Sequence, residues 1–150
     1  MNRKEEMLSE IRASDSIFIS YGDGDLGKPI KRIDAIKDIE SMDEDSIGEG
    51  TWQDEDERME KENGSVNFEG KRYILTTPAD FTGRLLPSSY KNIHEVEDGE
   101  KYDFEMAAPA CNKDGENCTI FWIFSDIKGE NGTEDLSNFD YSVVDHVRMD

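Results

Sequence analysis

The stretch KYDFEMAAPACNKDGENCTIFWIFS, residues 101–125, decides the fold. Its first half alternates. Tyr102, Phe104, Met106 and Ala108 fall on one face and Lys101, Asp103 and Glu105 on the other, the period-two signature of a strand with one buried face. The second half, CTIFWIFS at 118–125, is apolar on both faces, as in a central strand covered on both sides. Two turns fit the NKDGE between them. A two-residue turn at Asp114-Gly115 sets Cys111 opposite Cys118 and Phe104 opposite Ser125. A type I turn over Lys113-Asp114, with Gly115 left-handed as a bulge, shifts the register by one. It then sets Phe104 opposite Phe124, Met106 opposite Trp122 and Ala108 opposite Ile120. A one-residue slip exchanges the buried face, so the apolar pattern selects the bulged turn. Pro109 has no N–H to give a neighbouring strand, which marks an edge or an irregularity at that end.

Working outward, the chain from residue 66 onward is mostly strand. Val66 and Phe68 precede a turn at Gly70, RYILTT at 72–77 is closed by Pro78, and YSVVDHVRM at 141–149 reads as a last strand after a short helical turn at TEDL, 133–136. Upstream the pattern changes. Residues 2–13 form a helix with Met7, Leu8 and Ile11 on one side, and SIFISY at 16–21 is a strand. A glycine-rich turn follows, with Pro29 placed to start a second helix. In that helix Ile30, Ile33, Ile36 and Ile39 recur every third residue. On a 3.6-residue helix such a row fans around the circumference, which predicts cover over a broad face. The fold class expected is α+β. It is a single small domain: a helix-strand-helix unit over 1–42, an acidic connecting segment over 43–65, and a mostly antiparallel sheet over 66–150.

The chain of 150 residues carries 36 acidic and 17 basic side chains, a formal net charge of −19. Much of that charge is local. Residues 38–62 hold Asp38, Glu40, Asp43, Glu44, Asp45, Glu49, Asp54, Glu55, Asp56, Glu57, Glu60 and Glu62 against only Arg58 and Lys61. Like charges at this density repel, which predicts an extended or solvated segment. Its ordinary role is solubility. Its sharper role is a surface for a basic partner, built from Asp43, Glu44, Asp45, Asp54, Glu55, Asp56, Glu57, Glu60 and Glu62, with Trp52 as an aromatic anchor if it does not tuck back onto the domain. Ten lysines against seven arginines argue against a halophile's lysine-poor surface as the cause of the acidity.

The charge also excludes partners. Phosphate repels so acidic a chain, so no direct binding of nucleic acid or of an anionic membrane is expected. No run of 18 apolar residues exists to span a bilayer, and MNRKEEMLSEIR has no apolar signal region, which predicts a cytoplasmic location. In a reducing compartment Cys111 and Cys118 are expected to be free thiols on different faces of the hairpin.

The motifs that suggest chemistry fail on their details. Gly22 to Lys28 has the G-x-x-x-x-G-K spacing of a phosphate loop. But Pro29 stands where Ser or Thr would hold magnesium, and Asp23 and Asp25 would repel phosphate. Asp23-Gly24-Asp25 begins like a calcium loop, but Gly27 falls at the fifth position and Asp34 at the twelfth. Two cysteines at 111 and 118 do not have zinc-ligand spacing, and His94 and His146 belong to no paired pattern. The sequons at Asn63, Asn117 and Asn131 carry no weight without a secretory signal. No catalytic, cofactor or metal residues are therefore expected.

Two functions compete. In the first, the chain is an inhibitor that binds the basic, nucleic-acid-binding surface of a partner, a nuclease for example. Its carboxylates stand in for phosphates, as in the small acidic anti-CRISPR and anti-restriction proteins of phages and mobile elements, which it resembles in composition only. In the second it is a regulatory or adaptor module that binds through an apolar sheet patch near Phe121 and Ile123, and its acidity serves solubility alone.

Overall fold

A computed structural model describes residues 2–22, 28–47, 50–84, 86, 97–127 and 139–150. The elements are α1 (Arg3–Ala13), β1 (Phe18–Gly22), β2 (Ile30–Lys31), α2 (Arg32–Ser41), α3 (Glu44–Ile47), β3 (Thr51–Asp54), α4 (Asp56–Asn63), β4 (Ser65–Phe68), β5 (Lys71–Leu75), β6 (Asp80–Phe81), β7 (Lys101–Asn112), β8 (Asn117–Ile127) and β9 (His146–Met149). They form a small α+β domain with two antiparallel sheets. A three-stranded sheet has the order β2-β1-β3. The larger has the order β4-β5-β7-β8-β9, with β6 also pairing β7.

The hairpin adopts the bulged register. Phe104 pairs with Phe124, Met106 with Trp122 and Ala108 with Ile120. Gly115 has φ +79°, the left-handed conformation the bulge requires, and its N–H donates to the carbonyl of Asn112 at 3.0 Å. The Asn112 side chain braces the turn by accepting from the N–H groups of Asp114 and Glu116, each at 3.0 Å. At Pro109 the neighbour of β7 changes: β5 pairs residues 110–112 and β6 pairs 106–107. The Pro109 carbonyl still accepts from the Thr76 N–H at 2.9 Å, so its missing N–H faces the gap between the two short strands.

Gly70 has the same φ, +79°, but a different neighbourhood. A Cβ at Gly115 would lie 3.1 Å from Ile33 Cγ1, whereas one at Gly70 meets nothing within 4 Å. Gly70→Ala is therefore expected to cost about 1 kcal/mol, for left-handed backbone alone. Gly115→Ala is expected to cost about 2 kcal/mol, because the helix carrying Ile33 must also give way. Urea unfolding of the two variants measures the difference directly.

Three apolar clusters result. Met7, Leu8, Ile11, Ile19, Ala35, Ile39 and Ile47 close the N-terminal unit. One face of the large sheet carries Tyr102, Phe104, Met106, Ala108, Trp122 and Phe124 with Val66 and Leu75. Ile17, Phe18, Ile74 and Cys111 join the two sheets. Within the second helix Ile39 is buried and Ile33 and Ile36 are half-buried, so three of the four isoleucines spread the cover over a broad face.

Two expectations need correction. Pro29 does not start the helix. Ile30 and Lys31 are drawn into pairing with β1, the Arg32 N–H donates to the Ile17 carbonyl at 2.9 Å, and α2 begins only at Arg32. The buried Arg32 guanidinium then donates to the carbonyls of Ser16 (2.9 Å), Ile11 (3.4 Å) and Arg12 (3.5 Å), tying the start of α2 to the C-terminal end of α1 and the residues after it. Nor is the acidic segment an irregular extended run: α3, β3 and α4 all lie within it, although most of its side chains remain exposed to water. The glycine-rich turn at 23–27, residues 48–49, and the TEDL turn at 133–136 lie outside the described residues.

Candidate partner-binding surface

The acids of residues 43–62 divide by orientation. Asp54, Glu55 and Asp56 stand at the junction of β3 and α4, and the fold itself uses all three. Asp54 Oδ1 accepts from the Asp56 N–H at 2.7 Å, satisfying the first free N–H of α4 from just ahead of its Glu55 N-cap, and its other oxygen accepts from the Ser16 hydroxyl. Glu55 is buried and accepts from Ser20 Oγ and Gln53 Nε2, both at 2.7 Å. The Asp56 carboxylate is buried as well. It accepts from the backbone N–H groups of Phe18 (2.7 Å) and Ile17 (3.0 Å), and from Arg72 Nη1 on β5 (2.9 Å). Glu60 pairs with the same arginine, at 2.5 Å. Four elements are thus tied at one point: the start of β1, the end of β3, the first turn of α4, and β5.

Glu55 and Asp56 therefore leave the set expected to face a partner. So does Trp52. Its pairing opposite Tyr21 turns the indole onto the N-terminal cluster, where it is half-buried. The local signal for this arrangement was present. An aspartate at Asp54, just ahead of a segment with further acids in its first turn, is a helix-start pattern. Treating the acids only as a charge run hides it.

Asp43, Glu44, Asp45, Glu57 and Glu62 remain exposed and outward. Asp54 is exposed too but is engaged with Ser16 and the Asp56 N–H, and Glu60 is half-buried on Arg72. Glu62 is shared with Arg58 at 3.4 Å, and Glu44 accepts from Asn2. Asp43, Asp45 and Glu57 form no ion pair with any described residue. Glu57 and Glu62 sit on α4, whose start the buried junction holds. Glu44 and Asp45 sit on α3, which Ile47 pins to the N-terminal cluster, and Asp43 just precedes it, its carbonyl accepting from the Ser46 N–H at 3.0 Å. A partner would therefore meet ordered carboxylates.

The sheet patch of the competing reading is largely roofed. The His146 ring stacks on Phe121 at 4.4 Å with 6° between the planes, and the Arg148 guanidinium lies 5.3 Å from the same ring centroid. Ile123 is 39 % exposed. Beside it Glu105 is buried under a two-pronged contact from Arg84 (3.1 and 2.6 Å) and a hydrogen bond from Thr82 (2.9 Å). The Arg84 hydrogen bond holds its carboxyl below the usual range.

The cysteines are free, buried and on opposite faces: Cys118 in the large-sheet core and Cys111 at the junction. Burial pushes each thiol up to about 11. Neither is thus an activated nucleophile. At pH 8 a disulfide reagent such as Ellman's is expected to titrate neither thiol of the native protein within minutes and both after denaturation. Among the described residues no group of three or more His, Cys, Asp or Glu side chains is arranged to hold a metal, and no helix is long and apolar enough to cross a membrane. His94 and Glu49 lie outside the described residues. No family model, curated protein or solved structure matches the chain, and the side chains themselves carry the functional reading.

Proposed function

We propose that the protein is an acidic inhibitor that docks on the basic, nucleic-acid-binding surface of a partner protein, its carboxylates taking the place of phosphates. The anti-CRISPR and anti-restriction proteins of phages and mobile elements are the type it resembles. The observation that supports this most is the division of labour within one acidic segment. Asp54, Glu55, Asp56 and Glu60 serve the fold, while Asp43, Asp45 and Glu57 are exposed and form no ion pair among the described residues. Solubility alone does not require those carboxylates to be ordered, whereas binding gains from it, because the ordering cost is met during folding. Attraction by a net charge of −19 speeds encounter, and the fixed carboxylates then pair with Lys and Arg. The adaptor alternative retains only Ile123 of its patch, since Phe121 is covered.

The test is capture of a partner at low salt, followed by competition against that partner's nucleic acid. The expected result is displacement of the nucleic acid, an affinity that falls steeply with salt, and loss of binding when Asp43, Glu44, Asp45 and Glu57 are all changed to Lys. Binding that ignores salt, or that survives the fourfold reversal, overturns the proposal.

A further inference from the structure

We propose that the cavity over Trp122 seats a bulky apolar side chain carried by a basic segment of the partner. The choice of a basic partner rests on the reading above; the cavity does not. Trp52 packs half-buried against the N-terminal core, which takes away the apolar anchor expected for the acidic surface. The cavity supplies the converse, a socket for the partner's anchor.

The cavity has a volume of about 300 Å³, at the small end for ligand sites, so it suits one side chain better than a cofactor. Its walls are Val66, Leu75, Pro78, Ala79, Trp122 and Tyr141, and the turn at 63–65 forms a polar lip. The floor is rigid. Trp122 is fully buried, and its indole N–H is anchored on the Tyr141 carbonyl at 2.8 Å. An apolar socket with a fixed aromatic floor is the setting in which single anchor residues carry most of a binding energy.

Charge selects the anchor's neighbours. Every charged residue adjacent in the chain to a lining residue is an acid: Glu62, Asp80 and Asp140. All three are exposed. The Ser142 hydroxyl, 2.6 Å from the Asp140 carboxylate, and the Ser142 N–H at 3.0 Å hold this carboxyl below the usual range. The lip also follows α4, whose C-terminal end bears the negative pole of the helix. A neutral or acidic segment would gain the socket and forgo or oppose these charges, whereas Lys or Arg on either side of the anchor would pair with them.

The test uses the full chain labelled with ¹⁵N and three peptides capped at both ends: Lys-Lys-Phe-Lys-Lys, Lys-Lys-Ala-Lys-Lys and Glu-Glu-Phe-Glu-Glu. The two indole N–H resonances are assigned with Trp52→Phe. The first peptide is expected to shift the Trp122 indole saturably and leave that of Trp52 unmoved. The alanine peptide should bind about tenfold or more weakly and the acidic peptide not at all. Ala79→Leu, which fills the socket from its rim, should weaken the first peptide by about tenfold, and the pair Asp80→Asn with Asp140→Asn should flatten its salt dependence. The proposal is overturned if the alanine peptide binds as well as the phenylalanine peptide, if the acidic peptide binds as well as the basic one, or if Trp122 does not respond. The peptide comparisons need no variant, so they hold even if Ala79→Leu misfolds. The fourfold reversal of Asp43, Glu44, Asp45 and Glu57 separates the two readings. If it leaves a captured partner bound while the basic peptide still seats at Trp122, the acidic surface fails and the socket stands. If it abolishes partner binding while no peptide reaches Trp122, the socket alone fails.

Discussion

Asp56→Ala is expected to lower the unfolding free energy by about 3 kcal/mol, one of the two largest losses foreseen for a single substitution in this chain. The carboxylate accepts from two buried backbone N–H groups, those of Ile17 and Phe18, and from Arg72. Alanine removes the acceptor and leaves both N–H groups dry, and each unsatisfied donor costs about 1–3 kcal/mol. The arginine loses less. Its side chain is 41 % exposed and still has Glu60, so its charge returns to water at little cost. Asp56→Asn separates the two contributions. The amide oxygen can still accept from the backbone, but its NH₂ then faces the Arg72 guanidinium, donor against donor. About 1 kcal/mol is expected there, the worth of a partly exposed charged contact. Urea unfolding with unchanged slope is the measurement. A loss below about 1 kcal/mol for the alanine variant would mean that this carboxylate does not clamp β1. The same reasoning explains why the fourfold reversal spares Asp54, Glu55 and Asp56. Changing them would damage the fold and imitate a loss of binding.

Asp56 also marks the limit of what the chain discloses unfolded. The hairpin over 101–127 was legible down to its register because three local signals agree: period-two alternation, an apolar run, and a glycine where a bulge needs left-handed backbone. The short strand at Ile30–Lys31 was not. Its residues fit a helix by spacing, and only the open edge of β1, distant in sequence, draws them into pairing. The direction of Trp52 was hidden for the same reason, being set by the residue across the ladder, Tyr21. In the acidic segment the composition was read correctly as charge. What composition does not record is that a carboxylate beside two unpaired N–H groups is worth burying, and those N–H groups belong to another part of the chain.

Trp122→Ala is expected to cost about 3 kcal/mol, and Trp122→Phe about 2 kcal/mol. Truncating a fully buried tryptophan ordinarily costs about 3–5 kcal/mol, the spread reflecting how far the site can collapse or fill. The open side of this site sets the value near the lower bound. One side of the indole is packed, with Met106 across the ladder and Tyr141 edge-on at 5.5 Å. The other borders the cavity of about 300 Å³, which opens to solvent. Alanine would therefore enlarge a space that water already reaches, and wet space carries a smaller penalty than a sealed void. Phenylalanine keeps most of the apolar contact but has no N–H, so the Tyr141 carbonyl loses its donor at 2.8 Å. That hydrogen bond tethers the 139–144 segment, which also carries Phe139, stacked on Phe124 at 4.9 Å. The phenylalanine variant is thus expected to free the segment locally before the domain unfolds, seen as faster amide exchange at Tyr141–Val144 with the β7–β8 ladder unchanged. Equal protection of that segment in both proteins would place its tether in Phe139 and Tyr141 packing and not in the indole. The socket's rigid floor would then rest on aromatic contacts alone.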